Sequence, residues 1–177
     1  MTGCRKLVNL LARRGKSTMA LVFRGLSSCS VCNEVIQAAD EMVAFPHVIS
    51  NQRDPLWPFS DTACHAACAR RSPEIQQLAA IAEEHYRRTG PGNRKCEVCC
   101  KEILDPENCL MFGYLGDPEL DELGRFNFIH IHKSHLANWK PLKEFLAIGQ
   151  AAIDDGRWRG GGRYLEALLQ DLRVWAD

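Results

Sequence analysis

The sequence predicts an α+β protein made of two small metal-stapled halves, and three observations lead there. The first is a repeated constellation: Cys29-Ser30-Val31-Cys32 with His65-Ala66-Ala67-Cys68 is matched, 67 residues later, by Cys96-Glu97-Val98-Cys99 with His132-Lys133-Ser134-His135. Cys and His together occupy only 15 of 177 positions, so four coincidences at one offset mark an internal repeat. The second is that the apolar frame follows the same offset, with Val31 matching Val98, Ile36 matching Ile103, Val43 matching Leu110 and Phe59 matching Phe126. The third is size. A chain of 177 residues is one ordinary domain or two small ones, and a domain of about 60 residues buries too little surface to be comfortable without a staple.

Zinc supplies the chemistry that this spacing asks for. It prefers four tetrahedral ligands drawn from thiolate and imidazole, and a Cys-x-x-Cys turn sets two sulfurs on one side of the ion. A His-x-x-Cys or His-x-x-His pair, at i and i+3, faces one way on the first turn of a helix. The expected ligands are Cys29, Cys32, His65 and Cys68 for one ion and Cys96, Cys99, His132 and His135 for a second, giving two structural Zn2+ per chain. Nine cysteines could instead form a disulfide scaffold, but the number is odd, no apolar signal-peptide core is present, and the paired Cys turns have histidine partners. A reducing, cytoplasmic setting follows. Five thiols would be ligands, leaving Cys4, Cys64, Cys100 and Cys109 as small buried apolar residues, with Cys64 and Cys100 near enough to substitute as donors. His130 also competes in the second half. The repeat register selects His132 and His135 and leaves His130 as an exposed strand residue.

CSVCNEVI with HAAC, and CEVCCKEI with HKSH, resemble treble-clef zinc modules, the group that includes the first zinc site of LIM domains. The resemblance covers about residues 27 to 85 and 94 to 152. It implies two knuckle, hairpin and helix folds, each around one ion, whose usual task is binding another macromolecule.

Taken in order, residues 1–27 form a basic arm, 28–89 and 90–153 the two zinc modules with their helices, and 154–177 a glycine loop and a final helix. Arg5, Lys6, Arg13, Arg14, Lys16 and Arg24 are unopposed by any acid in residues 1–33, although the whole chain has net charge zero. Leu7, Leu10 and Leu11 give residues 5–14 a helical stripe, and Met19 to Phe23 has strand character. Met42 to Ile49 reads as a strand interrupted by Pro46, with Phe59-Ser60 starting the return strand and Asp61 or Thr62 capping the helix that carries His65 and Cys68. Ser72-Pro73-Glu74 opens a helix with an Ile75, Leu78, Ala82, Tyr86 stripe, closed by Gly90-Pro91-Gly92 at the expected boundary. In the second half Asn108 to Leu115 and Arg125 to Ile131 are the strands around an acidic loop. Leu142 to Ile153 is a helix, and Tyr164 to Trp175 is an amphipathic helix expected to pack across both halves.

The expected role is non-catalytic binding. Four protein ligands leave no open coordination position, and no zinc-hydrolase set, deaminase His-x-Glu or phosphate-cradling loop is present, which leaves a zinc-dependent nuclease or hydrolase as the least favoured class. Nucleic-acid binding through the basic arm and Arg70, Arg71, Arg87 and Arg88 is the alternative, opposed by the neutral balance and by Asp117, Glu119, Asp121 and Glu122. Another protein is the favoured partner, with the chain as an adaptor or as an immunity-type inhibitor acting through that acidic loop. Trp57, Phe59 and Trp158 are the candidate contact groups. No small-molecule substrate is identified, and no run of 18 apolar residues supports a membrane span.

Overall fold

In the computed structural model, which describes residues 20–90, 92–160 and 164–176, strand β1 (Met42–Ala44) pairs antiparallel with β2 (Ala63–His65), and β3 (Cys109–Met111) pairs antiparallel with β4 (His130–His132). Four helices accompany these hairpins among the described residues: α1 (Ala66–Ala69), α2 (Pro73–Thr89), α3 (Leu142–Asp154) and α4 (Tyr164–Arg173). The chain is therefore α+β, with two small antiparallel sheets. Neither sheet exceeds two strands, a size that has marginal stability alone. The basic stretch at residues 5–14 lies outside the described residues. No helix among the described residues is long and apolar enough to cross a membrane.

Two compact units result. One holds the described residues up to Val48 with Pro55–Glu83; the other holds Ile49–Asp54 with the described residues from Glu84 onward. The division falls inside α2 and not at the expected Gly90–Gly92 break, because the helix runs unbroken to Thr89 and its last turn packs His85 on Phe128, with ring centroids 5.6 Å apart. Ile49–Asp54 joins the later residues through long-range bonds. Asn51 donates to the Arg157 carbonyl and accepts the Arg159 N–H, each at 3.0 Å.

Several expected strands are shorter, for local reasons. Pairing of the first strand stops at Ala44, and Trp57–Phe59, with Pro58 near its start, is a 3-10 turn where a return strand was expected. Likewise Glu122–Phe126 is a 3-10 turn capped by Asp121, and Phe128 takes a left-handed φ of 59°, so β4 starts only at His130. Asp61 is also left-handed (φ 58°) and caps nothing; α1 begins directly after His65. Residues 20–23 form no strand, and Leu21 and Phe23 are exposed. The second ligand pair sits on a 3-10 turn, Lys133–Asn138, not on an α-helix.

In the first unit, Ile36, Val43, Phe45, Leu56, Ile75 and Leu78 close the core beneath α2. The start of that helix is set by Ser72, whose hydroxyl oxygen accepts the Ile75 N–H, and by Pro73, whose missing N–H would have lacked a partner there anyway. The second unit has a larger core. Phe112, Phe126, Trp139 and Phe145 interlock as an aromatic cluster, and the last helix, α4, packs on α3. Gly149 allows that approach, since a Cβ there would lie 2.8 Å from Leu169 Cδ2.

Candidate metal centres

Each Cys-x-x-Cys turn is a tight knuckle. Asn33 N–H donates to the Cys29 carbonyl at 2.9 Å and Cys100 N–H to the Cys96 carbonyl at 2.8 Å, with Asn33 and Cys100 in the left-handed region that lets the chain reverse. Each hairpin brings a histidine back to its knuckle: the His65 N–H lies 3.5 Å from Cys29 Sγ and the His132 N–H 3.4 Å from Cys96 Sγ. The turn after each hairpin adds the fourth residue. Thus Cys29, Cys32, His65 and Cys68 form one group and Cys96, Cys99, His132 and His135 another, and in each the donor atoms all lie within 4.8 Å of one another. All eight expected ligand residues fall in these groups, and each group could hold a metal ion.

The spacing within the groups fits a tetrahedral zinc. With Zn–S of about 2.3 Å and Zn–N of about 2.1 Å, the S···N edge of a tetrahedron is about 3.6 Å. Cys32 Sγ lies 3.5 Å from His65 Nδ1, and Cys96 Sγ to His135 Nδ1 and Cys99 Sγ to His132 Nδ1 are both 3.6 Å. Electrostatics points the same way. Burial pushes the Cys29 thiol up, but the backbone N–H groups of Cys32, His65 and Val31 pull harder in the opposite direction and leave it at about 6. Cys96 is likewise brought to about 6, its burial outweighed by the N–H groups of His132 and Cys99 and by His135. For Cys32, the Glu34 N–H lowers the thiol, but loss of water and the sulfurs of Cys29 and Cys68 take it up to about 11. One thiolate is thus prepared and its neighbour resists ionising beside it, a conflict that a shared dication removes.

The competing donors stand apart. Cys64 is fully buried and belongs to neither donor group, and burial pushes its thiol up to about 12. Cys100 is exposed and Cys109 pairs across the strand with His132; neither joins a donor group. His130 is not the exposed strand residue expected of it but is 4% exposed. Its strand neighbour Ile131, on the other face, is buried as well, so neither face is open there, and burial lowers the His130 pKa.

Sequence reasoning missed the support behind the first centre. Asp40 Oδ2 lies 3.2 Å from His65 Nε2, the ring nitrogen opposite the one that faces Cys32. The same carboxylate oxygen accepts the Gln37 N–H at 2.6 Å, and Arg24 Nη1 donates to the carbonyls of Gln37, Ala38 and Asp40 at 2.8–3.1 Å. Nothing in the spacing announces an acid that reaches a histidine 25 positions later. Such a carboxylate fixes the tautomer and raises ligand basicity, and losing it typically weakens metal binding by about 10–100-fold. Asp40→Ala should therefore weaken zinc at the first centre by about that factor and leave the second unchanged. Competition against chelators of graded strength checks this; a first centre that holds zinc as tightly in the variant as in the native chain would contradict it.

Compared with known proteins, the chain matches no family model, no curated sequence and no solved structure.

Proposed function

We propose that the chain is a zinc-stabilised binding protein built from a duplicated module of the treble-clef kind, and that it works by contact with another protein. The duplication is supported by hydrogen bonds that recur at the offset of the cysteines. Cys29 N–H to Glu34 carbonyl corresponds to Cys96 to Lys101, Ile36 to Ser27 corresponds to Ile103 to Arg94, and Phe45 to Thr62 corresponds to Phe112 to Ile129. Even a side-chain bond is conserved in geometry across a change of residue: Ser60 Oγ accepts the Val48 N–H, and Asn127 Oδ1 accepts the Leu115 N–H. The strand pairs Met42 with His65 and Cys109 with His132 keep the same offset.

The observation that carries the binding role is the completeness of both donor sets. Four protein donors fill a tetrahedral ion, so zinc here holds the fold and has no vacant position at which to activate water. The first knuckle exposes apolar side chains beside its polar ones. Leu26, Phe23, Val31 and Val35 are exposed, and the Ser28–Val35 bridge with the Ile36 N–H to Ser27 carbonyl bond ties their segments together. Trp57, 39% exposed, remains a contact group; Trp158 is buried at 3% and serves the core.

An adaptor suits the geometry better than an inhibitor working through the acidic loop. Asp117 and Asp121 accept the N–H groups of Glu119 and Leu123, so both carboxylates are engaged in forming their own turns. Affinity capture of the native chain and of Leu26→Asp from lysate of its own cells provides the test. A protein retained by the native chain and lost by the variant, with two zinc in both, is the expected result. Recovery of nucleic acid released by salt would reject the reading.

A further inference from the structure

The second unit contains a cleft of about 360 Å³ beside its metal centre, lined by Arg87, Arg88, Lys95, Phe128, Ile129 and His130. We infer that this cleft binds a small phosphate monoester, its dianion held by Arg88 and Lys95 and its organic part lying toward Phe128 and Ile129. The inference is independent of the protein partner considered above.

Its charge is the first support. Arg87, Arg88 and Lys95 line the cleft with Glu97, Arg94 lies between its lining residues, and Glu84 pairs with both arginines of the helix end. The lining itself holds three cations against one carboxylate, two positive charges in excess, which matches a phosphate monoester at neutral pH better than a single carboxylate. The arginines are also held in place. Glu84 takes the Nε–H of Arg87 and of Arg88, each at 2.6 Å, and leaves both Nη groups of Arg88 without a hydrogen-bond partner among the described residues. A guanidinium fixed in this way has forked donors ready for phosphate oxygens.

His130 is the second and independent support. It lines the cleft, is 4% exposed, and its Nε2 has no hydrogen-bond partner. Buried polar atoms in folded proteins nearly always have a partner; this one has under 1 Å² of exposed surface, so a phosphate oxygen reaches it only when the ring turns toward the cleft. The floor is built at some expense of backbone comfort. Phe128 holds a left-handed φ of 59° at the place where the first unit has Asp61, a residue type that tolerates this conformation far better than an aromatic one. Its ring packs on His85 and Tyr114. The walls belong to the second knuckle itself, since Lys95 and Glu97 flank Cys96 and the Glu97 N–H donates to the His130 carbonyl at 2.9 Å.

Titration of the zinc-loaded, full-length chain with inorganic phosphate and with adenosine monophosphate, followed by amide shifts at constant ionic strength, tests the assignment. Saturable shifts centred on residues 93–97 and 128–130, weakened by about tenfold or more in Arg88→Gln/Lys95→Gln with both zinc ions retained, are expected. Tighter binding of the nucleotide than of inorganic phosphate places the organic part in the cleft; equal binding of the two assigns only the phosphate. Shifts that chloride reproduces, or a double variant that binds as well as the native chain, would overturn it. So would a single-stranded oligonucleotide without terminal phosphate that displaces the nucleotide, because the cleft would then be serving a polymer backbone.

Discussion

A chelator strong enough to remove zinc is expected to unfold both units of the zinc-loaded chain, with loss of helical circular dichroism and of amide dispersion. The reason is the imbalance between small cores and large metal energies. Two-stranded sheets cannot stand alone, while a structural zinc contributes roughly 10–16 kcal/mol of apparent binding energy coupled to folding. That is as much as the whole stability of an ordinary domain, about 5–15 kcal/mol. Acid should act through the same ligands. Cys29 and Cys96 are each lowered from 9.0 to about 6 in the folded chain before any metal is counted. A group depressed in this way contributes stability that is complete above the unfolded value and is lost as pH falls through the folded one. Bound zinc depresses the thiolates further, so release should have its midpoint below pH 6, read with a colorimetric zinc indicator. A release midpoint above pH 7, or a chain that keeps its fold without metal, would contradict the assignment of zinc as the staple.

The ligands were legible because their chemistry is carried by residue type. Cys29, Cys32, His65 and Cys68 need no tertiary information to declare a donor set, and the second set announces itself by the same spacing. The α-helices were legible too, from stripes such as Ile75, Leu78 and Ala82, which are buried. Strand extents were not. A run such as Phe126 to Ile131 has strand composition, yet the left-handed Phe128 and the cap at Asp121 divide it into a turn and a late strand. Composition records preference for extended backbone, whereas the capped turn and the left-handed residue decide where pairing begins. Long-range polar contacts were equally invisible. The grip of Asn51 on residues 157 and 159, and of Asp40 on His65, depends on single side chains with no periodic pattern.

Phe145→Ala is expected to destabilise the second unit by about 3–5 kcal/mol, measured by denaturant unfolding with zinc in excess. The ring is fully buried on α3 and stands 4.8 Å from Phe112, 5.0 Å from Phe126 and 5.9 Å from Trp139, centroid to centroid. Truncation removes one member of each of these three pairs and opens a cavity that the rigid aromatic neighbours can fill only in part. Phe145→Leu keeps most of the volume and should lose clearly less than Phe145→Ala. Both variants should still bind zinc at the eight ligand positions, because Phe145 belongs to neither donor group. A loss under about 1 kcal/mol in Phe145→Ala would mean that zinc alone supports the second unit. The expected larger loss means that metal and aromatic core are both required: the ion closes the knuckle and hairpin, while the cluster around Phe145 secures α3 in the same core as α4.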